Sequence, residues 1–297
     1  YLIGFYMKKI ILFLSLTVCT NLFAITVDDF GYKSIFRTFY PNMFYVSMED
    51  NDYDGNELPK AGIKETKKEY LALMYPVEQY KNANHEDRYL VLIKKREIDK
   101  DSYTIINGKW KKIDSNTYKF SNTCHACSSA KADIYIFKKS VNNKYDLVSR
   151  TSSNFSPPSA YGDLDLNVKG VGDRIVKTGI NEVGFFDDSF SYTNYGTTDN
   201  LLYLIRLNES KISGYSIDLS SGTNDGEYEN NSPLSYEYSS VYKTLESPTS
   251  QVYPIEMKFK GDVFNEKTGK IENYNKIKRF KYNPMKDKYE LISETDY

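Results

Sequence analysis

The sequence predicts an all-β fold: antiparallel sheets built from repeated hairpins, arranged either like a propeller or as a multi-sheet sandwich. Three observations support this. Short runs rich in β-branched and aromatic residues recur between clusters of Asn, Gly, Ser and Asp. One hairpin pattern returns along the chain, and helical periodicity is scarce.

Taken in order, Tyr1 to Tyr6 precede the first Met and read as upstream translation or a misassigned start, with Met7 as the initiator. Residues 7–24 have the layout of a secretion signal. Lys8 and Lys9 form a positive start, Ile10 to Val18 an apolar stretch, and Ala24 a small residue at the cut. The stretch falls short of the roughly 20 apolar residues that span a bilayer. Residues 25–297 are therefore expected to be the mature chain, acting in the periplasm or outside the cell. Cys19 follows the bulky Val18, which disfavours lipidation there.

Phe44-Tyr45-Val46 is the first strand candidate. Ile63 to Tyr80 is the best helix candidate, with Lys64 to Glu69 suited to a first turn, but Pro76 interrupts it and Tyr70 to Met74 reads equally as a strand. Further strands are expected at Tyr89 to Ile93, Ile134 to Phe137, Leu201 to Leu207, Ile255 to Phe259 and Tyr289 to Ile292. Glu49 to Gly55, Ser152 to Tyr161, Asp187 to Asn200 and Gly222 to Ser235 lack apolar periodicity and read as surface loops. The stretch around 152–161, with Pro157-Pro158, is a candidate internal boundary in an otherwise single mature region.

The repeat is clearest in two places. Phe137-Lys138, a turn and Lys144-Tyr145-Asp146-Leu147-Val148-Ser149 match Phe280-Lys281, a turn and Lys288-Tyr289-Glu290-Leu291-Ile292-Ser293. Looser copies lie at Leu92 to Ile106, with Tyr103, and at Leu204 to Leu219, with Tyr215. Strand alternation predicts that Tyr145 and Leu147, and likewise Tyr289 and Leu291, are buried together while Asp146 and Glu290 face water.

Losing residues 1–24 removes two lysines and no acids, leaving 37 basic and 40 acidic residues and a formal charge of −3. No basic tract favours nucleic acid. The mature chain keeps two cysteines, Cys124 and Cys127, expected to form a small local disulfide in an oxidising compartment. The intervening His125-Ala126 also fits a redox pair, but no βαβ pattern surrounds it. Asp50, Asp52 and Asp54, followed by Gly55, resemble the start of a calcium loop. The closing acid is missing, because Ala61 stands at the twelfth position and Leu58 at the ninth, so a solvated acidic turn is the competing reading. No other cofactor is expected.

Only two histidines are present, and no nucleophile elbow, phosphate-cradling loop or dinucleotide fingerprint occurs. The 28 tyrosines offer faces for sugar stacking, yet Trp110 is the only tryptophan and strand faces account for many tyrosines. These features point to a non-catalytic binding protein of the cell envelope, with another protein as partner, in the manner of an inhibitor or an immunity-type protein. A glycan is the second candidate ligand. The alternative from another class is an envelope glycan hydrolase using an Asp/Glu carboxylate pair.

Overall fold

Two antiparallel meanders laid face to face make up the computed structural model of this protein. It describes residues 25–48, 57–100, 103–107, 109–112, 117–121, 130–160, 162–164, 166–167, 169–229 and 231–297. The chain starts with β1 (Thr26–Val27), helix α1 (Tyr32–Phe39), β2 (Met43–Phe44), β3 (Ser47–Met48), β4 (Lys60–Glu65), β5 (Lys68–Met74), β6 (Glu78–Lys81) and β7 (Asp87–Lys100). A small hairpin of β8 (Tyr103–Ile106) and β9 (Lys109–Lys112) precedes β10 (Thr117–Phe120), β11 (Lys131–Lys139) and β12 (Tyr145–Arg150). The first sheet runs β1-β12-β11-β7-β5-β4-β2, with β6 and β10 also on β7, and β3 parallel to β10.

A short ladder of β13 (Ser159–Ala160) and β14 (Asp163–Leu164), then a 3-10 turn at Val171–Arg174, leads to the second sheet. Its strands are β15 (Val176–Gly179), β16 (Glu182–Asp187), β17 (Ser191–Asn194), β18 (Thr197–Leu207), β19 (Ile212–Thr223), β20 (Glu237–Thr244), β21 (Ile255–Asn265), β22 (Lys270–Asn273), β23 (Lys276–Asn283) and β24 (Lys288–Asp296). They run in near-sequence order, β15-β16-β18-β19-β20-β21-β23-β24. The fold is thus all-β with several sheets. Among the described residues no helix is long and apolar enough to cross a membrane.

The apolar runs of β7 and β11 follow from burial on both faces. Leu90, Leu92, Ile134 and Ile136 point to the second sheet and pack with Val183, Phe185, Tyr203 and Ile205. Val91, Ile93, Tyr135 and Phe137 point the other way, under Ile35 and Phe36 of α1. The second sheet curls on itself, so strands that are not ladder neighbours meet. The Tyr215 hydroxyl donates to Asp287 at 2.8 Å, and Lys278 donates to Asp218 at 2.8 Å. Inside the curl, Leu202, Leu204, Tyr238, Ile255, Met257 and Phe259 form a third core.

Several local expectations are corrected. Ile63 to Tyr80 forms no helix: β4, β5 and β6 cover it, turning at Thr66-Lys67. Here β-ladder partners on both sides override a sequence that also fits a helix. Asp187 to Asn200 is no open loop, because β17 and β18 pair across it. The proposed copy at Leu92 to Ile106 is no hairpin, since β7 runs through to Lys100 and Tyr103 opens β8, which pairs with β9.

The two clear repeats share register and defect. Phe137 faces Leu147 and Ile136 faces Ser149, leaving Val148 as a bulge. Phe280 faces Leu291 and Arg279 faces Ser293, leaving Ile292 in the same place. Burial is less regular than alternation predicts. Tyr289 is buried, whereas Tyr145, Leu147 and both acids are half-buried. Leu291 is 49% exposed because β24 is the last strand of its sheet, with a ladder partner on one side alone.

Candidate functional site

The first sheet's α1 face carries charge where its strand pattern calls for hydrocarbon. Lys95 shares parity with Val91 and Ile93 on β7, and Asp133 shares parity with Tyr135 and Phe137 on β11. Asp133 lies opposite Ile93, and Lys131 opposite Lys95, so Lys95 and Asp133 are diagonal neighbours. Ala72 is the cross-strand partner of Lys95 on β5 and leaves room for the long side chain.

Lys95 is 1% exposed, and its ammonium donates to Glu65 at 2.7 Å and to both Asp133 oxygens at 2.8 and 2.9 Å. Tyr40, directly after α1, donates from its hydroxyl to Asp133 at 2.5 Å, and Tyr135 donates to the Tyr40 hydroxyl at 3.2 Å. Helix α1 sets this up. Ile35, Phe36, Phe39 and Tyr40 recur at helical spacing, and the Tyr40 amide closes the last turn on the Phe36 carbonyl at 2.8 Å. Phe39 stacks on the Tyr135 ring at 4.0 Å.

These groups floor a cavity of about 340 Å³. Exposed Lys64 and Arg150 and the Ser152-Ser153 turn stand at its mouth. Arg150 is aimed there by the Val148 bulge, which moves Ser149 to the other face and sets Arg150 opposite Tyr135.

Burial, then the Asp133 charge, push the Tyr40 phenol well above its ordinary value, and burial does the same to Tyr135. Burial works against the Lys95 ammonium, but Asp133 and Glu65 outweigh it and hold Lys95 above the usual lysine value. The two phenols and the ammonium keep their protons through the physiological range. A general base must instead titrate close to it.

The sequence-derived candidates lie elsewhere. Cys124 and Cys127, and Asp50, Asp52 and Asp54, fall outside the described residues. Among those described, no group of three or more His, Cys, Asp or Glu is placed to hold a metal ion. His85 sits exposed in the turn between β6 and β7. Sequence reasoning missed the cavity residues, although a usable signal was present: Lys95 and Asp133 have the parity of the apolar face. A second buried pair, Glu182 with Arg206, is closed by hydrogen bonds from Thr178 and Asn208. Compared with known proteins, the chain matches no family model, no curated protein and no solved structure.

Proposed function

We propose that this chain is an exported, non-catalytic binding protein of the cell envelope that recognises another protein through the cavity under α1. One observation carries the reading. The buried Lys95–Asp133–Glu65–Tyr40–Tyr135 network satisfies itself and presents a fixed polar floor instead of a reactive group. Rigid polar floors in concave sites orient ligands and supply specificity. The export signal at residues 7–24 supports the compartment.

The hydrolase alternative would draw its carboxylate pair from Glu65 and Asp133. The Lys95 ammonium stands between them and bonds both, where a glycosidase needs space for sugar or water. Cavity geometry therefore favours the binder. The test is capture: tagged protein from periplasm and culture fluid, with mass spectrometry of what it retains. A specific protein should be enriched over a tag-only control. Recovery of none, together with release of reducing ends from envelope glycan, would reverse the assignment.

A further inference from the structure

We propose that the α1 cavity and the depression beside it form one cationic trough that takes an extended acidic segment of the protein partner. This rests on the binding reading and narrows it to a chemistry. The second depression measures about 520 Å³ and adjoins the first through Glu65 and Ser153. The β4–β5 hairpin forms one wall of both, and the exposed Ser152-Ser153-Asn154 turn contributes to the other.

Among the described lining residues, six cations accompany two carboxylates. Both carboxylates, Glu65 and Asp133, are committed to Lys95. Lys68 is bonded to Glu97 at 2.6 Å, while Lys131 lies 3.8 Å from Glu65 and 5.3 Å from the Tyr70 ring centroid. Lys64, Lys67 and Arg150 remain, all exposed and with no ion pair among the described residues. The charge left over for a ligand is therefore positive.

Arg150 offers a planar fork that suits a carboxylate, and Lys64 and Lys67 offer point charges along the same hairpin. Two backbone devices hold these groups. Thr66, between Lys64 and Lys67, keeps the turn tight at φ 54°, and the Val148 bulge directs Arg150. Acidic peptide fits this lining better than glycan does. The Tyr70 and Tyr135 rings are buried, and Phe39, the half-buried ring of the lining, is stacked on Tyr135, so little aromatic surface is offered to a sugar.

The test uses protein purified from the periplasm and fluorescence anisotropy with a labelled Glu/Ser octapeptide. A Lys/Ser octapeptide and an oligogalacturonate serve as comparators. The acidic peptide should bind, weaken as salt rises to ~150 mM, and lose roughly tenfold in affinity in Lys64→Glu/Arg150→Glu. Lys267→Glu, an exposed change in the turn after β21, should leave the affinity unchanged, and circular dichroism confirms that each variant is folded.

No binding of the acidic peptide, tighter binding of the oligogalacturonate, or an equal loss in Lys267→Glu would overturn the trough. The capture experiment separates the two proposals. If the charge-reversed protein still retains the same partner as the wild type, the trough falls and the binding reading stands. If the wild type retains no partner, the binding reading itself falls.

Discussion

Lys95 places a full charge on the apolar face of a central strand, and Glu65 and Asp133 accept the protons it must share there. Removing one side of such a pair strands the other in low dielectric, so Lys95→Met should destabilise the fold by about 3 to 5 kcal/mol. Lys95→Met with Asp133→Leu should recover part of that loss, because hydrocarbon of similar size replaces the two most buried charges. Glu65, which is partly open to water, and the Tyr40 hydroxyl are left to find other partners. Urea denaturation of the two singles and the double gives the coupling directly, and additive losses would show that the pair does not act as a unit. Thr66 is a β-branched residue in the left-handed region, where a side chain of that shape costs about 1 to 2 kcal/mol. Thr66→Asn should therefore raise the stability by up to ~1 kcal/mol, read as a higher urea midpoint with an unchanged slope. Part of this site was legible in the sequence. Lys95 and Asp133 break the parity of their own runs, and an apolar face rarely carries a charge without a partner. Tyr40 and Glu65 were not legible, because α1 and the end of β4 reach the pair only through tertiary packing.

At the scale of elements, the paired hairpins show how far pattern carries. The motif shared by residues 137–149 and 280–293 implied two equivalent strand pairs, and both form with the same register. The common bulge at Val148 and Ile292 was not legible, since both segments read as plain alternation. Neither was the exposure of Leu291, which depends on β24 ending its sheet. Helix α1 escaped notice for a related reason. Eight residues give only two turns of periodicity, and Gly31 at the N-cap has no side chain with which to cap its start. Tyr289→Ala should cost about 2 to 4 kcal/mol, since its ring packs in the curl against Tyr215 and Tyr282. Leu291→Ala should stay within about 0.5 kcal/mol. Deleting a bulge residue moves every side chain beyond it to the opposite face. Deletion of Val148 should be the more damaging, because β12 is paired on both sides by β11 and β1, whereas β24 can slip against β23 alone. Thermal midpoints of the two deletions decide it. A lower midpoint for the Ile292 deletion would mean that the sheet edge is the stiffer place.

Across the whole molecule, the same kind of residue sits in each of the three large cores. Tyr80 and Tyr203 lie between the sheets, Tyr40 and Tyr135 beneath α1, and Tyr215, Tyr238 and Tyr289 inside the curl. Polar ties also cross between the sheets. Arg88 of β7 donates to Glu209, in the turn between β18 and β19, at 2.6 Å, and Asn82 reaches the same carboxylate at 2.8 Å. Burial shifts the pKa of all seven phenols upward, so they hold their protons to higher pH, and it pushes the Tyr242 phenol up to about 12. An unfolded chain releases these protons near pH 10, so above that value the unfolded state binds fewer protons than the folded one. Stability from the buried phenols is therefore complete below about pH 10 and falls as pH rises through the folded-state values. Because all three cores depend on such rings, alkali should undo them together and leave no intact sheet behind. Phenolate absorbance and far-ultraviolet circular dichroism, followed upward from about pH 9, should change in one shared transition above pH 10. Most of the phenolate signal appearing near pH 10 while the dichroism holds would mean that these rings already meet water, and the packing of the three cores would have to be redrawn.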